Sequence, residues 1–142
     1  MDYSLKGIRW LRVFGAALAV IVLSFLLVTL ITAVYAFILA FQAGGRPDQA
    51  AISHFAAKVS RWLMPLLEMF LTFFASATIA RKADNANIIH GLFVGIIAGL
   101  LSLAVTLTFG NQLNLHNIVF FLIVIGLGWL GGFVGGKKKS RI

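Results

Sequence analysis

Glu68 is the residue whose type and setting could do chemistry. It lies in an apolar run, Trp62 to Ala80, that carries no other charge. A charged side chain at the centre of a bilayer costs about 3 kcal/mol on insertion scales, so an acid kept in such a run is a functional candidate. A small proton-coupled carrier or channel would use it to take up and release a proton. The alternative is a structural acid, hydrogen-bonded to a neighbouring helix or snorkelling to the interface. Pro65, Thr72, Ser76 and Ile79 fall on the same helical face. Counted from Trp62 at about 1.5 Å per residue, Glu68 lies roughly 9 Å inside the outer boundary. That height matches Thr32 and Tyr35 in the first apolar run and Thr106 in the third, which makes each a candidate donor. Arg61 is a candidate ion-pair partner.

Other chemistry is scarce. The chain has no cysteine, which removes disulfides, thiolate metal sites and thiol nucleophiles. His54, His90 and His116 are its only histidines. A metal site needs ligands that converge; His90 falls at one end of the apolar runs and the other two at the opposite end. No acid, histidine and serine fall together at one depth. Neither a catalytic residue nor a cofactor or metal is expected.

These residues must be positioned by helices in a membrane. Of 142 residues, 61% are hydrophobic and 11% charged, against roughly 25% charged in a soluble domain. Four apolar runs predict spans at about 13–41, 62–80, 88–109 and 117–136. The first is too long for a secretory signal, whose apolar core is about 7–15 residues. Pro47 and Asp48 suit a helix start, with Pro in the first turn and Asp at the positive end of the dipole. Ile52, Phe55, Val59 and Trp62 then recur at helical spacing, with His54, Lys58 and Arg61 between them. The pattern predicts a short amphipathic helix over about 48–61, lying at the interface; the alternative is an outward extension of the second span. Pro65 removes one backbone donor and favours a kink. Trp10 and Trp62 suit interfacial anchoring.

The net charge is +8. The basic residues cluster at the ends of apolar runs, which suits anionic lipid headgroups rather than nucleic acid. With the N terminus inside, nine fall on the inner side (Lys6, Arg9, Arg12, Arg81, Lys82, Lys137, Lys138, Lys139 and Arg141) and three outside (Arg46, Lys58 and Arg61). The positive-inside rule then places both termini in the cytoplasm, in a multi-pass inner-membrane protein. Lys137, Lys138, Lys139 and Arg141 are the expected headgroup contacts.

Two small-residue ladders complete the pattern. Gly91, Gly95 and Gly99 share one face of the third run, and Gly128, Gly132 and Gly136 one face of the fourth. Such rows let helix backbones approach closely in lipid. With this topology both ladders lie at the same depth on adjacent antiparallel helices, so they predict a hairpin tight at its inner half. Ser102 and Thr106 prolong the third-run face outward, and Phe120 and Phe121 fill the outer half of the fourth.

The segment ARKADNANIIHG, then GLFVGIIAGL, then GWLGGFVGG, resembles an uncharacterised family of small bacterial four-span membrane proteins, the YrzE-like group. His90, Gly91, Leu92 and Gly95 carry the match, over about residues 75–136. The resemblance implies a four-helix membrane fold and no particular activity. Together these features predict an all-α, four-span domain over residues 1–142. The expected role is non-catalytic: a scaffold or accessory subunit in a larger membrane complex, or a self-associating protein.

Overall fold

The computed structural model describes residues 9–83, 87–108 and 113–139; the side chains of Asn87, Lys138 and Lys139 are outside that description. Lys6, Asp84, Phe109, Gly110 and Arg141 lie outside it too. The described chain is all-helical: α1 (Trp10–Gln42), α2 (Gln49–Lys82), α3 (Asn87–Thr108) and α4 (Leu115–Lys139). All four are long and apolar enough to cross a membrane. This is the architecture of a multi-pass membrane protein. A helix satisfies its own backbone hydrogen bonds where no water can.

Helix ends follow local chemistry. After α1, Gly44 takes φ +60° and Gly45 φ +93°, and the Gly45 N–H donates to the Ala40 carbonyl at 2.9 Å. That is the six-to-one closure of a Schellman turn, with glycine at the left-handed position. Asp48 caps α2: its Oδ1 accepts from the N–H groups of Ala50 (2.9 Å) and Ala51 (3.2 Å). Pro47 therefore precedes the cap instead of opening the first turn. Asn114 caps α4, accepting from the Asn117 N–H at 3.1 Å, so that helix starts at Leu115, two residues before the expected boundary. Arg81 and Lys82 occupy the last turn of α2, where cations suit the dipole.

The separate amphipathic helix over 48–61 is not seen. α2 runs unbroken from Gln49 through Trp62 to Lys82, the outward extension that was the alternative. Nothing between Gln49 and Trp62 stops a helix: the segment has no glycine or proline and four alanines. Pro65 sits inside α2, which continues past it.

The chain divides into two compact units, Met1–Ile21 with Glu68–Ile142, and Val22–Leu67. In the second, Ser24 and Val28 are buried, Tyr35 stacks on Phe55 with ring centroids 3.8 Å apart, and the Thr32 hydroxyl donates to the Val28 carbonyl.

The first unit holds the glycine ladders and Glu68. Its core contains Val13 with Val94, and Ala17 with Ala98 and Val124. Arg9 pairs with His90 in the same four-residue rhythm, so the start of α1 and α3 run parallel. α3 and α4 run antiparallel, with early Gly91 facing late Gly132 and Gly99 facing Phe121. α2 also opposes α3, through Ser76 at Gly91 and Glu68 at Ser102.

Candidate functional site

A row of buried polar side chains runs along α2. Glu68, Thr72 and Ser76 lie at successive four-residue steps, which stack on one helical face. They are 4%, 0% and 0% exposed, so this face looks into the protein rather than into lipid. The Ser102 hydroxyl donates to Glu68 Oε2 at 2.7 Å. The Ser76 hydroxyl donates to the Gly91 carbonyl at 3.2 Å. Thr72 Oγ1, between them, is the one buried side-chain polar atom among the described residues with no hydrogen-bond partner.

The donor to Glu68 is thus Ser102, one turn from the expected Thr106. Thr106 instead donates to the Ser102 carbonyl. Thr32 donates to a carbonyl of its own helix, Tyr35 stacks on Phe55, and Arg61 is exposed. Ser102 gave a usable signal all the same, since it continues the glycine face of α3.

At the far end of the row, His90 is 2% exposed and its Nε2 accepts from the Arg9 backbone N–H at 3.3 Å. A neutral imidazole accepting there carries its proton on Nδ1. About 12 residues of α3 separate His90 from Ser102, roughly 18 Å along the helix. His54 and His116 are exposed. Among the described residues no group of three or more His, Cys, Asp or Glu could hold a metal ion.

The glycines set how closely the helices approach. A Cβ on Gly91 would lie 2.5 Å from Gly132 Cα and 2.6 Å from the Gly128 carbonyl oxygen. On Gly95 it would meet the Val124 carbonyl at 2.8 Å and Gly128 Cα at 3.1 Å. On Gly99 it would meet the Phe121 ring at 2.6 Å. Gly132 faces Ile88, in the first turn of α3, and Gly136 is half-buried.

A second ladder on α4 was missed in the sequence. A Cβ on Gly131 would meet the Phe73 carbonyl at 2.5 Å and Ser76 Cβ at 2.8 Å, and one on Gly135 would strike the Ala77 carbonyl. These positions face α2, whereas Gly128 and Gly132 face α3. The signal was present in GWLGGFVGG, where adjacent glycines repeat every four residues and so mark two neighbouring faces.

Trp10 packs edge-on against Phe93, with centroids 4.9 Å apart; it contacts α3 as well as reaching the surface, where it is 43% exposed. Lys137 lies 4.4 Å over the Phe133 ring, a cation–π arrangement. Compared with protein-family models, curated proteins and solved structures, the chain matches none.

Proposed function

We propose that the chain is a non-catalytic integral membrane protein that works by packing, as a scaffold or accessory subunit in a larger membrane complex or by self-association. The supporting observation is where its polar side chains are spent. Thr32, Thr78, Thr106 and Thr108 each donate to a carbonyl in their own helix. Ser76 and Ser102 tie α2 to α3. The two serines join helices and the four threonines are satisfied within their own helix, so all six are spent on the protein's own hydrogen bonds. The glycine contacts of α4 with α2 and α3 act in the same sense, as a glycine zipper. The test is the mass and composition of the protein after gentle solubilisation. The expected result is a stoichiometric second polypeptide or a homo-oligomer; a monodisperse monomer refutes the reading.

The topology belongs to this proposal. The nine-to-three distribution of basic residues supports cytoplasmic termini in a bacterial inner membrane, with Lys137, Lys138, Lys139 and Arg141 toward anionic headgroups. The resemblance to the YrzE-like group supports the same four-span arrangement.

A second reading is a small proton-coupled carrier or channel working through Glu68. It is favoured by unpaired Thr72 Oγ1, one turn from Glu68 on the same buried face. Such a group is ready to bond a water or a transported ion. Reconstituted protein would then dissipate a pH gradient, and Glu68→Gln would abolish that. Equal leak from empty vesicles, wild type and variant sinks this reading.

A further inference from the structure

The end of the first unit carries a feature that neither reading uses. A cleft of about 660 Å³ opens between α1 and α2, lined by Arg12, Ala16, Ile79 and Lys82. We propose that it binds one anionic phospholipid, with the phosphate between Arg12 and Lys82 and the upper acyl chain against Ala16 and Ile79.

The arrangement matches an amphiphile in three respects. Its two cations lie at the same end of the unit: Arg12 in the first turn of α1 and Lys82 at the last residue of α2. Among the described residues no acid lines it. The two apolar liners lie three or four residues further along their helices, about 5 Å deeper. Charge at the mouth and hydrocarbon beneath is the order of groups in a phospholipid and not in a free phosphate.

The side chains divide the work. A guanidinium can hold two phosphate oxygens at once, while an ammonium adds a mobile point charge. Arg12 and Lys82 are both exposed, so each can reach a headgroup without unpacking the core. Ala16 is small, which leaves the floor open. Ala16 and Ile79 are half-buried and pack against the Val13–Val94 core, which makes that floor part of the folded structure. The proposal concerns this cleft and is independent of the basic tail.

The experiment uses the full chain, delipidated in a zwitterionic detergent and titrated with phosphatidylglycerol or phosphatidylcholine, with native mass spectrometry as the readout. One phosphatidylglycerol per chain should be retained in preference to phosphatidylcholine. Arg12→Gln/Lys82→Gln should lower that retention about tenfold or more, the loss that charge-assisted contacts imply. Arg81→Gln/Lys137→Gln, with the same change in net charge, should lower it less than twofold by the same reasoning. Ala16→Leu keeps both cations but fills the floor, and should also weaken retention. It decides the matter if the double variant does not fold. Equal losses from the two charge pairs would assign retention to a diffuse basic surface and overturn the proposal. Displacement of the lipid by millimolar inorganic phosphate, absence of headgroup preference, or an Ala16→Leu variant that binds as wild type would overturn it too.

Discussion

Gly91→Ala and Gly126→Ala make the same chemical change in two settings, and the difference between them measures the close helix contact. At Gly91 the new methyl group would lie 2.5 Å from Gly132 Cα, 2.6 Å from the Gly128 carbonyl oxygen and 2.7 Å from Gly132 N. Ordinary contacts of a Cβ begin near 3.4 Å, and all three neighbours are backbone. No rotamer change can relieve the overlap, so α3 and α4 must separate by several tenths of an ångström or more. At Gly126 nothing lies within 4 Å. Both changes gain the helix propensity of Ala over Gly, about 1 kcal/mol, and this gain cancels in the comparison. What remains is overpacking, about 1–3 kcal/mol. Gly91→Ala should therefore be less stable than Gly126→Ala by that amount, and Gly126→Ala should match or exceed the wild type. Reversible unfolding in mixed micelles, followed by circular dichroism as the fraction of denaturing detergent rises, gives the midpoints. Gly99→Ala should fall between the two, because its obstacle is the Phe121 ring, which can turn. Equal midpoints for Gly91→Ala and Gly126→Ala would refute the close approach on which the hairpin rests.

Three further predictions use the same unfolding measurement. Thr72→Val removes a buried hydroxyl that has no partner and keeps its shape, so stability should hold or rise by up to about 1 kcal/mol; a loss above that would reveal an unseen partner for Oγ1. Ser102→Ala takes away the donor to Glu68 and should cost about 1–3 kcal/mol. Glu68→Gln keeps an acceptor for Ser102 and should cost less; the reverse ranking contradicts a structural hydrogen bond. Asp48→Ala removes both cap contacts of α2 and should cost about 1 kcal/mol; amide exchange should quicken at Ala50 and Ala51 before any change near Glu68.

The helices were legible because apolar runs this long have few alternatives to spanning a membrane, and because Asp48 and Gly44 mark ends by chemistry that acts within a few residues. The segment expected as an interfacial helix over 48–61, or as an outward extension of the second span, is continuous with α2 for a related reason. His54, Lys58 and Arg61 describe the polarity of a helical face, but polarity does not end a helix. Without a breaker before Trp62 the turn-to-turn hydrogen bonds continue, and α2 reaches back to Gln49. Depth counting offers Thr32, Tyr35 and Thr106 as donors to Glu68, whereas Ser102, one turn nearer the start of α3 than Thr106, makes the bond. A height along a membrane helix is known only as well as the point from which it is counted.

The glycine faces show where sequence spacing stops being informative. Four-residue repeats locate a face on one helix, and Gly91, Gly95, Gly128 and Gly132 do meet across α3 and α4. Spacing alone leaves open which glycine meets which, because register depends on where α3 begins. It begins at Asn87, which puts Gly132 beside its first turn. Spacing also leaves open how many neighbours a glycine-rich helix has. Gly131 and Gly135 press α4 against α2 while Gly128 and Gly132 press it against α3, so one helix is fixed from two sides. The second contact brings Gly131 to Ser76 Cβ, the same serine that bonds the Gly91 carbonyl. Ser76 is therefore the point where α2, α3 and α4 meet. Because Glu68 lies two turns along the same buried face of α2, the glycine packing that fixes Ser76 also orients that face, and with it the acid toward Ser102.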